Sequence, residues 1–277
     1  TTDLRTWSGA GTFNLYNITA AYQADSAITC TSCTNSGSTS TWTFSACGAG
    51  TPTMAQAHFR WRNDDGNETA ATWKRPEDVQ HSGQALSENA RLRFSIKNSG
   101  TATATSYEYE LQVASKSGYS TCEAVPSASY SVVPTTTAGC GSSVACMTTS
   151  TNFTDGDATT NQLTSEGTFT AGDMVEDPSN ITGAISIDAS YFTEAEYNFQ
   201  FTSIAAYGAN YCFRVTDNGA LLDAYTKVAD IAIEGSGTGE GLITRIKGST
   251  RILGGSRIGS HTGSDCDSPL IDSRDSK

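Results

Sequence analysis

Tyr211, Phe213 and Val215 alternate with Cys212, Arg214 and Thr216, a period of two that predicts a strand with one face in a core. Asp217-Asn218-Gly219 follows, and the Asn-Gly pair tolerates positive φ in a tight turn. With the extended run 224–233 behind it, the stretch reads as a β-hairpin. The same alternation recurs earlier: Phe59 and Trp61 against Arg60 and Arg62, then Leu92, Phe94 and Ile96 within 91–97, then Tyr107, Tyr109, Leu111 and Val113 within 106–113. The charged partners of Phe59 and Trp61 predict a sheet with one wet face. Shorter pieces at 130–133, 184–187 and 197–201 complete a set of short strands separated by turn signals. A β-sandwich is the natural closure.

Two flanking regions differ from this body. Residues 1–55 are small and polar, with strand-like pieces at 12–24 and 40–46; Tyr16, Ile18, Ala20 and Tyr22 share one face there and need an apolar partner, within the chain or in another copy. After Ile233 comes the glycine-rich linker EGSGTGEG, then a repeat of period six, TRIKGS, TRILGG, SRIGSH. In an extended chain the repeat sets Ile246, Ile252 and Ile258 on one face and Arg245, Arg251 and Arg257 on the other. The organisation expected is thus an N-terminal β extension over 1–55, a sandwich over 56–235, and a linker with basic repeat tail over 236–277.

Composition narrows the partners. Ser and Thr supply about a quarter of the chain, which suits a β protein. A net charge of −12 repels nucleic acid, whose binding needs clustered Lys and Arg. No apolar run approaches the length of a membrane span, and the opening Thr1-Thr2-Asp3 predicts a processed start. Eight cysteines in so loop-rich a chain predict disulfides and an oxidising compartment. Cys140 and Cys146 enclose five residues, a loop short enough for a local bridge. The rival reading of Cys30, Cys33 and Cys47 as zinc ligands lacks the second half of a site.

Catalytic chemistry finds no support. HExxH, GxSxG, Walker and dinucleotide-binding spacings are absent from the sequence, and His58, His81 and His261 stand in unrelated contexts. The chain reads as a non-enzyme. Clustered carboxylates in acidic turns offer one hard-cation candidate, calcium at Asp64, Asp65 and Glu68, although such turns are ordinarily solvated. No other cofactor is indicated. Tryptophans exposed together could stack on sugar rings; burial in the core is the commoner fate.

FRWRNDDGNETAATW, ARLRFSIKNSGTATATSYEYELQVA, the following Cys122, and NYCFRVTDNGALLDAYTKVADI together resemble a repeated β-sandwich domain of large secreted surface proteins of environmental bacteria. The resemblance covers residues 56–234. Tyr211 opening its strand is also similar to the tyrosine-corner strand of immunoglobulin-like and fibronectin-like sandwiches, and that fold class is what the resemblance implies. It further implies a bridge between Cys122 and Cys212 across the two sheets, and a wall-associated or extracellular structural role. The first 55 residues and the long insert between Cys140 and Asn180 depart from the pattern. Cys30, Cys33, Cys47 and Cys266 remain, with three pairings open.

The function expected from all this is a structural subunit of an extracellular filament or cell-surface layer, assembled by strand or tail exchange with other copies of itself. The alternative is a cell-surface adhesin or carbohydrate-binding module with surface glycans as partners.

Overall fold

The computed structural model describes residues 50–235 and, before them, the backbone of four short strands: β1 (Thr19–Ala20), β2 (Thr29–Thr31), β3 (Thr34–Asn35) and β4 (Thr43–Ser45). β1 pairs with β3 and β2 with β4, both parallel. The chain divides after Gly235. Tyr16, Ile18 and Tyr22, the tail residues Arg245, Ile246, Arg251, Ile252, Arg257 and Ile258, and the side chains of Cys30, Cys33, Cys47 and Cys266 lie outside the described residues.

Fourteen further strands follow, separated by turns and two single-turn 3-10 helices. They are β5 (Met54–Arg62), β6 (His81–Gln84), β7 (Ala90–Asn98), β8 (Ala104–Tyr107), β9 (Tyr109–Ser115), β10 (Ser131–Val132), β11 (Ala145–Met147), β12 (Thr168–Thr170), β13 (Met174–Val175), β14 (Ile185–Ile187), β15 (Tyr191–Phe201), β16 (Asn210–Asp217), β17 (Ala224–Tyr225) and β18 (Ala229–Ile233). One sheet has the order β10-β9-β16-β18-β6; the other runs β11-β15-β7-β5-β17, with β12 and β13 both pairing parallel to β15. β8 and β14 form a separate two-stranded ribbon.

The period of two read in the sequence decides what lies between the sheets. From one come Trp61, Leu92, Phe94, Tyr197, Phe199 and Phe201, from the other Leu111, Phe213, Val215 and Ile231, all buried in one cluster. Phe199 stacks on Phe213 at 4.6 Å between centroids and Trp61 meets Phe213 edge-on at 5.9 Å, aromatic pairs of about 0.5–1.5 kcal/mol each beyond their area. The polar tips are satisfied across the gap. Trp61 Nε1 donates to the Asp230 carbonyl at 2.9 Å, and Tyr197 Oη to the Tyr109 carbonyl at 2.6 Å.

Three sequence expectations change in detail. The run 106–113 is broken at Glu108: Ser106 sits at φ 59 and the chain leaves one ribbon to enter another sheet, so β8 and β9 are separate strands. The hairpin after Tyr211 forms at Asn218 and Gly219, whose φ values of 43 and 88 and reciprocal Asp217–Ala220 backbone bonds make the tight turn. Its return limb, however, first crosses to the other sheet as β17 beside β5, and only then pairs with β16 as β18. Finally, the face of β5 predicted to be wet is covered at Arg62, while Arg60 stays half-buried.

Candidate functional site

The outer face of the β15-β7-β5 sheet carries the alternate residues of three adjacent strands: Arg62 from β5, Arg91 and Arg93 from β7, Glu194 and Glu196 from β15. None of these five is exposed to solvent. Strand register brings them together, since Arg93 is the partner of Arg60 on one side and Glu196 on the other, and Arg91 that of Arg62 and Asn198. Glu196 stands at the centre. Its Oε2 accepts from Arg93 Nε at 2.6 Å and Arg62 Nη1 at 3.2 Å, and Oε1 accepts from Arg91. Burial opposes its ionisation, but the guanidiniums of Arg93, Arg91 and Arg62 together hold the carboxyl below its ordinary range. Arg93 is raised in turn: burial works against its charge, and Glu196 and Glu194 more than offset that.

The roof over this face is the segment inserted between Cys140 and Asn180. Glu194 accepts the amides of Gln162 and Leu163 at 2.9 and 2.7 Å and Arg93 Nη1 at 3.1 Å. Ser95 and Ser165 share a hydroxyl contact of 2.6 Å, and Phe153 lies 4.9 Å from the Arg91 guanidinium. Gly172 lets the backbones meet, because a Cβ there would sit 2.2 Å from the Glu194 carbonyl oxygen. A charged sheet face became an interior because a loop carried the donors to pair it.

Of the calcium candidates, Asp64 and Glu68 accept from that roof, and Asp65 accepts from Thr72 in its own turn. Asp64 accepts from Asn89, Ser150 and Asn152; Asp65 from the Thr72 amide and hydroxyl; Glu68 from Arg93, the Thr160 amide and the Gln162 amide group. Their oxygens are occupied by protein donors in three directions. Burial raises the Glu68 pKa, yet Arg93 and Thr160 outweigh it and leave the carboxyl lowered.

The other sheet's outer face is also covered. Cys212, on that face of β16, is bonded to Cys122 in the 3-10 turn Cys122–Ala124, within an apolar cluster of Ala114, Val125 and Val228. This pair does not bridge the two sheets, as the resemblance implies; it pins the β9–β10 connection onto one sheet. The parity of Cys212, opposite to that of Tyr211 and Phe213, requires this. Arg214, on the same face, lies 3.9 Å from the Tyr130 ring and 5.3 Å from that of Tyr225. Cys140 and Cys146 form the second bridge.

Of the tryptophans, Trp61 is fully buried, and Trp73 has the Arg60 and Arg62 guanidiniums 4.4 and 4.6 Å from its ring. Neither offers a free stacking face. Among the described residues one group of potential metal ligands comes together, His58, Glu77 and Asp78. Sequence reading passed over it because the residues are some twenty positions apart. The signal available was His58 alternating outward beside Phe59. No helix among the described residues is long and apolar enough to cross a membrane. The chain matches no protein-family model and no curated protein.

Proposed function

We propose that this protein is a structural subunit of an extracellular filament or cell-surface layer, joined to other copies by strand or tail exchange, and that it has no catalytic role. The observation that carries this reading is the way its connections are fastened. Long excursions that in a binding protein would be free to form a ligand surface are here bonded down onto both outer sheet faces, one through the Arg62–Arg91–Arg93–Glu194–Glu196 network and one through Cys122–Cys212. Such a body suits persistence in an oxidising exterior, where disulfides are maintained.

The finer fold assignment, an immunoglobulin- or fibronectin-like sandwich, is part of the same proposal. It is supported by Tyr211, whose hydroxyl accepts the Ala206 amide at 3.0 Å, five residues upstream, as a tyrosine corner does. The sheets end at short strands, β10 and β6 in one, which suits strand addition from a neighbour.

Electron microscopy of the purified full chain across a range of ionic strengths tests the proposal. Filaments or ordered sheets are the expected result. Dispersed monomers in every condition would overturn it in favour of the adhesin reading, for which a glycan array is the direct assay.

A further inference from the structure

We propose that His58, Glu77 and Asp78 form a site for a zinc-like divalent cation on the outer flank of β5. His58 follows a β-bulge between Gln56 and His58, and outward alternation with Phe59 places its ring on the side where the 75–80 turn returns. That turn is docked by three hydrogen bonds to β5. The Asp78 amide donates to the Phe59 carbonyl at 2.9 Å, the Phe59 amide donates to Asp78 Oδ1 at 3.0 Å, and Arg60 Nε donates to the Arg75 carbonyl at 3.0 Å.

Each carboxylate therefore has one oxygen committed to a backbone amide and one turned to the imidazole. Glu77 Oε2 accepts the Thr164 amide at 3.0 Å, leaving Oε1 3.2 Å from His58 Nδ1; Asp78 Oδ1 is held by Phe59, leaving Oδ2 2.7 Å from the same nitrogen. This is the arrangement of outer partners that fixes ligands in metal sites. A tetrahedral zinc with ligands at about 2.0 Å has ligand atoms roughly 3.3 Å apart. The His58–Glu77 spacing already meets that, and the His58–Asp78 spacing must open by about half an ångström, within reach of a rotamer adjustment.

The donor set selects the ion. One imidazole and two carboxylates suit zinc and its neighbours, whereas calcium prefers oxygen alone and more of it. On binding, the hydrogen bond between His58 Nδ1 and Asp78 Oδ2 gives way as both atoms turn to the cation, with the ring proton carried on Nε2. The side chains remain part-exposed, which leaves the site open to solvent and to water as a further ligand. Because Thr164 belongs to the roof over the charged sheet face, a loaded site would tie that roof to the 75–80 turn as well.

The test is calorimetric titration of the full, disulfide-intact chain with zinc chloride and separately with calcium chloride, beside His58→Ala and Asp78→Asn. The wild type should take up one zinc equivalent that both variants bind at least about tenfold more weakly, with a zinc-dependent rise in melting temperature that calcium does not reproduce. A zinc equivalent retained unchanged in His58→Ala would place the ion elsewhere, and no uptake by the wild type would remove the site; either result overturns the proposal. Should His58→Ala fail to fold, Asp78→Asn with His58→Gln decides by the same measure.

Discussion

Arg93 and Glu196 face each other from adjacent strands with Nε 2.6 Å from Oε2, and neither side chain is exposed. Taking one partner of such a pair leaves an uncompensated buried charge, at a cost of about 3–5 kcal/mol. Here Glu196 also serves Arg62 and Arg91, so Glu196→Ala removes the central anion from three guanidiniums, of which Arg93 keeps Glu194 and Glu68. We expect a loss at or above the upper end of that range, read as a fall of about 10 °C or more in melting temperature for a domain of this size. The conservative Glu196→Gln should recover only part of it.

Glu194 and Gly172 fasten the roof without closing the core. Gly172→Ala should therefore loosen the inserted segment before it unfolds the sandwich. Hydrogen exchange at the Gln162 and Leu163 amides, which Glu194 accepts, should accelerate while the amides of β9 and β16 keep their protection.

Two groups give opposed pH dependences. Burial, then Lys74 and Arg75, pushes the His81 imidazole down from 6.5 to about 4. The unfolded chain thus takes the proton first, and stability present above pH 6.5 is lost as pH falls toward 4. Burial pushes the Glu194 carboxyl up from 4.5 to about 7, with Arg93 and the two amides only partly offsetting it. There the folded state takes the proton first, and the contribution present below pH 4.5 is lost as pH rises through 7. Between 4.5 and 6.5 the two oppose. His81→Gln should convert a flat melting-temperature profile in that window into one that rises on acidification; an unchanged profile would show that His81 is not the group responsible.

Cys122 and Cys212 close a separation of 90 residues. Chain entropy assigns such a crosslink about 4.6 kcal/mol. The double variant Cys122→Ser with Cys212→Ser should melt well below the wild type, with the Cys122–Ala124 turn becoming the first site of proteolysis, since only the packing of Val125 and Val228 and the bonds from Tyr130 and the Val228 amide would hold it.

Deletion of residues 242–277 tests the joining mechanism apart from the fold. The sandwich, whose described core draws only on residues 54–233, should remain folded by circular dichroism while assembly seen by electron microscopy is lost. Triple substitution of Ile246, Ile252 and Ile258 with Asp should match the deletion. Normal assembly by the truncated chain would transfer the joining role to the strand around Tyr16–Tyr22.

Alternation carried most of the inner structure into plain view. Leu92, Phe94 and Ile96, or Tyr211, Phe213 and Val215, can only be strands that share a buried face, and the structure puts them there. The same rule misjudged the opposite faces. Arg62, Arg91, Arg93, Glu194 and Glu196 look like solvated residues, and β15 is legible only over 197–201 because Glu194 and Glu196 carry charge where a half-buried strand shows apolar alternation. What distinguishes a wet charged face from a covered one is whether complementary charge arrives from strands and loops distant in sequence, and local periodicity has no access to that.

The sequence by itself determined that the chain is built of short strands with one apolar face each and where tight turns fall, because these depend on the period of side chains along a strand and on local backbone preference. Only the tertiary structure decided that Cys122–Cys212 lies outside the sandwich, that the acidic turn at Asp64, Asp65 and Glu68 is spent on arginine and amide donors, and that His58 meets Glu77 and Asp78. Each is a meeting of residues from separate segments, fixed by sheet register and by the path of a covering loop, and the free energy that selects it exists only once both segments are in place.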